Sequence, residues 1–306
     1  MGKKEKGMSE SISIRSFQDM INGNGWSGKF IDTGVKTLNE ILGGAPDRGM
    51  CTRMLTGFYA GPNMGKTLTT VQLAIASAAA QGRPSLIIDF EAFFSQYGAY
   101  QKYVEPILKR YEVSPSEIYI LQFRLGALDE FFKYLGKKIT KNVKGGKVDI
   151  SVIELPSAPN PNIYTDYDEY DFGYIGLDGL HSSIKKFLGT INVGTFPARR
   201  AIQDEIILTI ADLVADRDAV GIITFHAIQD VTSFGQPYRM WGGLAPAFAD
   251  KNLILITKSG KQARKDKEGR IVIDYRDFKV DRSAVAAEGL KRTLMLKMGW
   301  GIDDPE

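Results

Sequence analysis

The junction at residues 52–81 constrains this chain more than any other stretch. An apolar run predicted as a strand over 52–59 leads into Ala60-Gly61-Pro62-Asn63-Met64-Gly65-Lys66-Thr67, and an Ala/Leu/Thr-rich segment predicted as a helix over 66–81 follows. The loop fits the spacing G-x-x-x-x-G-K-[ST], with Ala60 in place of the first glycine. Glycines at such spacing let the backbone curl until successive N–H groups point inward, and the start of the following helix adds its positive end. A strand that turns at once into a helix must lie in a sheet covered by helices.

The rest of the chain repeats that alternation. Short apolar runs predict strands over 85–90, 118–121, 172–177, 220–225, 251–257, 270–278 and 291–298, with helices over 97–111, 125–138 and 201–215. This is an α/β pattern with a mostly parallel central sheet flanked by helices and a C-terminal antiparallel strand or hairpin extension. Residues 1–30 read as a tail and a short helix, where Ile14, Phe17, Met20 and Ile21 recur at helical spacing, and form a candidate oligomerisation arm. Residues 31–306 read as the core, with an insertion at about 141–170 that holds Gly145-Gly146, three prolines and a Tyr/Asp/Glu cluster and is expected as an excursion from the surface.

Composition narrows the class. With 43% apolar and 25% charged residues the chain is not globally disordered, and a net charge of +3 decides nothing about nucleic acid by itself. The single cysteine, Cys51, excludes an internal disulfide and argues against a cysteine metal site. No apolar run reaches the roughly 18–20 residues of a membrane span, and the N-terminus lacks the apolar stretch of a signal peptide. A reducing, cytoplasmic setting and no membrane partner are expected.

The loop chemistry then assigns roles. Gly61, Pro62, Asn63, Met64, Gly65, Lys66, Thr67 and Leu68 are the candidate ATP-binding set, with Lys66 reaching the β- and γ-phosphates. Thr67 and Asp178, the latter closing the run Tyr174-Ile175-Gly176-Leu177, are the candidate Mg2+ pair. Glu91, just past the strand over 85–90, is placed as general base or water-orienting group, with Asp89 as runner-up. His226, at the end of the run 221–225, is placed to touch the γ-phosphate and relay its loss.

The order of these pieces resembles the RecA-type recombinases. Ile31-Asp32-Thr33-Gly34-Val35-Lys36-Thr37-Leu38-Asn39 is similar to that family's lead-in before a Gly-rich turn, here Gly43-Gly44, and Ile87-Ile88-Asp89-Phe90-Glu91 is similar to its "IDAE", whose Glu is catalytic. Thr224-Phe225-His226, the stretch 241–250, Phe278-Lys279-Val280-Asp281-Arg282-Ser283 and the ending Gly299-Trp300-Gly301-Ile302-Asp303-Asp304-Pro305 resemble the UvsX-type recombinases of T4-like phages. The resemblance implies a RecA-like ATPase core and a DNA-dependent ATPase, with ATP and Mg2+ as cofactors. Such a protein polymerises on single-stranded DNA as a homo-oligomeric filament or ring, promotes homologous pairing and strand exchange in recombination and repair, and works with a recombination mediator or single-strand-binding protein. If phage-encoded, it would act in the host cytoplasm.

By position, the resemblance implies DNA contacts from a first loop over 182–200, with Lys185, Lys186, Arg199 and Arg200. A second loop over 229–246 would add Phe234, Tyr238, Arg239 and Trp241. Lys279 and Arg282 would reach a neighbouring subunit's ATP, and Tyr97 or Tyr100 would stack on adenine. The departures are Ala60, the 141–170 insertion and the short stretch after Asp304, where relatives carry an extension. Two alternatives stay open: a hexameric DnaB-like helicase core, disfavoured because only about 30 residues precede the core, and a recombinase paralogue or adaptor that binds ATP and a partner without exchanging strands.

Overall fold

The structure is a computed structural model that describes residues 28–96, 98–144, 147–157, 160, 162–190, 196–229, 238–240 and 250–305. In chain order its elements are β1 (Phe30–Ile31), α1 (Lys36–Gly43), β2 (Met50–Cys51), β3 (Met54–Ala60), α2 (Lys66–Gln81) and β4 (Ser85–Asp89). A π-helical turn, Tyr100–Val104, leads into α3 (Glu105–Tyr111), followed by β5 (Ile118–Gln122), α4 (Leu128–Tyr134), β6 (Lys137–Lys144), β7 (Lys147–Glu154) and α5 (Ile163–Tyr170). Then come β8 (Tyr174–Asp178), α6 (Leu180–Thr190), α7 (Phe196–Asp216), β9 (Val220–Gln229), β10 (Tyr238–Met240) and β11 (Asp250–Lys258). The chain closes with β12 (Arg264–Lys265), β13 (Ile271–Ser283), β14 (Lys291–Lys297) and β15 (Gly301–Asp303).

One large mixed sheet runs β15-β14-β13-β11-β3-β9-β8-β4-β5. The pairs from β11 to β5 are parallel, while β13, β14 and β15 join antiparallel. The α/β class, the mostly parallel sheet and the antiparallel C-terminal extension are as expected from the sequence.

The parallel strands are apolar throughout because both faces are covered. Strand alternation sorts their residues into two layers. Phe58, Ile87 and Ile222 face Leu38, Ile75 and Ile107 of α1, α2 and α3. Tyr59, Ile88, Leu177 and Ile223 face Phe131, Ile184 and Ile206 of α4, α6 and α7. Each such side chain taken from water contributes about 1.5–3 kcal/mol. At its far end α2 stops at Gly82, whose φ of 62° lets its N–H close on Ala78.

One expectation needs correction and another refinement. The helix predicted over 125–138 is only α4, because Gly136 turns the chain at φ 72° and Lys137 then opens β6. The stretch 141–170, much of it exposed, carries regular structure and a few buried residues that tie it to the body. β6 and β7 form a hairpin in which Ile139 opposes Val152, and Ile150, Ile163 and Tyr167 are buried in the layer beside α4 and α7. Alternating apolar residues on the hairpin and a capping box at Asn162 and Thr165 explain that order. The helix predicted within residues 1–30 lies outside the described residues.

The C-terminal residues stitch the fold together. Asp304 accepts from the N–H groups of Lys36 (3.1 Å) and Thr37 (2.7 Å), capping α1 from 267–268 positions away. Gln72 on α2 makes a reciprocal pair with the backbone of Ile302, at 2.8 and 2.6 Å.

Candidate functional site

The carboxyl ends of β3, β4, β8 and β9 lie side by side, because these strands are parallel and in register. Ala60 stands opposite His226, and Asp89 opposite Asp178. In an open α/β sheet this edge is where ligands bind. β3 ends at Ala60, β4 at Asp89 and β8 at Asp178, whereas β9 runs on to Gln229 to pair with β10, so His226, expected at a strand end, lies within the strand.

The loop after β3 needs two positive φ angles, 58° at Asn63 and 96° at Gly65. A Cβ on Gly65 would lie 2.7 Å from the Leu296 side chain, so the position excludes larger residues on two grounds. Lys66 Nζ donates to the carbonyls of Ala60 (3.1 Å) and Gly61 (2.9 Å), which holds its ammonium over the loop. Burial pushes the Lys66 ammonium below its ordinary range, against the pull of Asp178 and Glu91. From β13, the buried Arg276 pairs with Asp274 at 2.7 Å and reaches the Asn63 carbonyl at 3.5 Å, bracing the loop from behind.

Asp178 is buried, and both of its oxygens are taken. Thr67 Oγ1 donates to Oδ2 at 2.6 Å and Thr224 Oγ1 to Oδ1 at 2.7 Å. Burial raises its carboxyl above the usual range, and the two hydroxyls oppose that rise. Thr67 and Asp178 together offer hard oxygen donors and no nitrogen or sulfur. That set suits Mg2+, which keeps several waters and takes one or two protein oxygens alongside phosphate.

Glu91 sits 3.2 Å from His226 Nε2 and accepts from Ser182 Oγ at 2.8 Å. The hydrogen bond from His226 holds its carboxyl below the ordinary range, with burial opposing and Ser182 and Lys66 assisting. Glu91 therefore stands as a carboxylate. The neighbouring Gly179 has φ 76°, and a Cβ there would overlap Glu91 Cγ and lie 2.8 Å from Cδ. Asp89, the runner-up base, is buried and occupied: it accepts from the N–H groups of Glu91 and Phe94, each at 3.1 Å, and from Gln122 Nε2 at 3.2 Å. It shapes the turn that presents Glu91.

These groups open on one cleft of about 640 Å³. Of the residues singled out from the sequence, Pro62, Asn63, Met64, Gly65, Lys66, Thr67, Leu68, Glu91, Asp178 and His226 line it, and Gly61 does not. Thr224, Tyr103 and Trp300, which the sequence reading missed, line it too. Thr224 was hidden inside an apolar strand, and Tyr103 lies one turn beyond the aromatics singled out. Tyr100 is 40% exposed and does not line the cleft, and Tyr97 lies outside the described residues. The Trp300 indole donates to Asp303 at 3.0 Å and carries the Arg110 guanidinium 5.0 Å from its ring, which fixes it at the mouth.

The candidate DNA residues fall on different elements, α6, α7 and β10. The predicted loop over 182–200 includes most of α6 and the start of α7, because Ile184, Phe187 and Leu188 recur at helical spacing and are buried. Lys185 and Lys186 are exposed on α6. They line a second depression of about 820 Å³ that shares Pro62 and His226 with the cleft. Arg199 is half-buried on α7, where burial pushes its guanidinium down, and Arg200 pairs with Asp204 at 3.4 Å. Tyr238 and Arg239 fall on β10, which folds back antiparallel on β9, so this part of the predicted second loop is strand. Phe234 and Trp241 lie outside the described residues. Lys279 pairs with Asp281 at 3.0 Å, Arg282 stands opposite Leu253, and neither lines the cleft of its own chain.

Among the described residues no helix is long and apolar enough to cross a membrane. Comparison of the chain with protein-family models and with curated proteins returns no match.

Proposed function

We propose that this chain is a RecA-type ATPase that polymerises on single-stranded DNA and promotes homologous pairing and strand exchange. The observation that carries the ATPase half is the convergence of Lys66, Thr67, Asp178 and Glu91 on one cleft at the carboxyl edge of a parallel sheet. The DNA half is supported by the ordered motifs of the sequence and by Lys185 and Lys186, exposed in a depression that adjoins this cleft.

The loop 61–65 cradles the triphosphate with its N–H groups, and the start of α2 adds positive potential. Lys66 stabilises charge on the transferring phosphoryl group. Thr67 and Asp178 would hold Mg2+, which would supply positive charge to neutralise the phosphates. Glu91 takes a proton from the attacking water as the water oxygen bonds to the γ-phosphorus and the bond to the bridging oxygen breaks, releasing ADP and phosphate. His226, bonded to Glu91, registers that loss and passes it toward β10. Tyr103 and Trp300 form the aromatic walls for the base. Lys279 and Arg282 serve a neighbouring subunit's ATP in the polymer.

The test is ATP turnover with and without single-stranded DNA, with electron microscopy of the same samples in a non-hydrolysable analogue. DNA-stimulated turnover and DNA-coated helical filaments are expected. Closed rings would favour the helicase reading, and nucleotide binding with no response to DNA and no polymer would leave the adaptor reading.

A further inference from the structure

We infer that Ser182 is a positioning residue for Glu91, orienting its carboxylate from the boundary between the nucleotide cleft and the depression along α6. This rests on the ATPase reading above. Ser182 is the third residue of α6, and its backbone N–H is satisfied by the Gly179 carbonyl at 3.1 Å. A serine early in a helix commonly turns its hydroxyl onto nearby backbone. This one reaches instead across to Glu91 Oε1 at 2.8 Å, a residue 91 positions away. The same hydroxyl lies 3.5 Å from His226 Nε2, and His226 Nε2 lies 3.2 Å from the same Oε1. A glutamate's terminal torsion is broad when nothing holds it. Two partners meeting at one oxygen fix the carboxylate plane and set the direction in which its Oε2 edge is presented.

The place of Ser182 adds a second argument. It lines the depression with Lys185, Lys186, Gly189 and Thr190, while the carboxylate it holds lines the cleft. Ser182 is one turn from both lysines on the same helix, so α6 carries the lysines and the Glu91 partner together.

The titratable groups that face Glu91 are His226 from β9, Lys66 from α2, Asp178 from β8 and His181 from α6, with Asp89 beneath its backbone. Removing the Ser182 donor leaves these in place and takes away one hydrogen bond that favours the ionised form. A base must be ionised to work, so the acid limb of kcat moves to higher pH.

The experiment measures kcat and KM for ATP against pH on the full chain with single-stranded DNA, for wild type, Ser182→Ala and Ser182→Thr. Ser182→Ala is expected to lower kcat roughly 3- to 30-fold with KM changed by less than about twofold, and to move the acid limb up. Ser182→Thr keeps the hydroxyl and is expected to restore both. An acid limb unmoved in Ser182→Ala, or a loss confined to KM, overturns the inference. A wild-type chain that turns over no ATP overturns the ATPase reading and this inference with it, whereas a normal wild type beside an unmoved limb sinks the role of Ser182 alone.

Discussion

Asp89 and Asp178 stand opposite one another on adjacent parallel strands, both buried, with wholly different partners. Asp89 collects backbone N–H groups from the turn that carries Glu91, while Asp178 collects the hydroxyls of Thr67 and Thr224. One carboxylate builds the turn, and the other faces the cleft.

That division predicts an unusual phenotype for Asp178→Asn. Burial raises the Asp178 carboxyl in the folded chain above its unfolded value near 3.8. The folded state then binds the proton more tightly, so this group's contribution to stability falls as pH rises through the window between the two values. Asp178→Asn removes that loss and is expected to be as stable as wild type, or more stable, at pH 7. Its Mg2+-dependent affinity for ATP is expected to fall by about 100-fold. Urea unfolding at several pH values and nucleotide titration with and without Mg2+ check the two halves.

Gly179→Ala forces a side chain into space that Glu91 occupies, at a backbone φ of 76°. The strain costs about 1–3 kcal/mol. Glu91 must leave its hydrogen bonds with His226 and Ser182, so turnover is expected to fall by at least tenfold while ATP still binds. Thermal unfolding and single-turnover kinetics separate the two effects.

Gln72→Leu tests the C-terminal clasp. Gln72 is buried and accepts from the Ile302 N–H at 2.6 Å while donating to its carbonyl at 2.8 Å. Leucine leaves that N–H unpaired, whereas the carbonyl keeps Arg110 at 2.8 Å. The cost is about 1–3 kcal/mol. Urea unfolding should register it, and amide exchange at Ile302 should accelerate while the amides of β3 keep their protection.

The strands and α2 were legible because both layers of the core imprint a short apolar run, and because the loop after β3 has few backbone solutions. Glu91, Asp178 and His226 were legible for a related reason: Asp178 ends β8, Glu91 follows the end of β4 by two residues and His226 stands opposite Ala60, the last residue of β3, and parallel register aligns such positions. Thr224 was not, since a hydroxyl within Ile222-Ile223-Thr224-Phe225 reads as another β-branched strand residue. The cap that Asp304 places on α1 and the Gln72–Ile302 pair join residues more than 200 positions apart, and no local pattern announces them. The hairpin of β6 and β7 was hidden by the prolines and glycines around it, although its own alternation was present in the residues.

The most direct test of the central claim compares Mg2+-ATP binding and turnover in wild type and Glu91→Gln. The amide keeps the shape of the side chain and removes the base. The account predicts that Glu91→Gln binds ATP within a few-fold of wild type and loses at least about 100-fold in kcat. Undiminished turnover in Glu91→Gln, or a wild-type chain that fails to bind ATP, would contradict it.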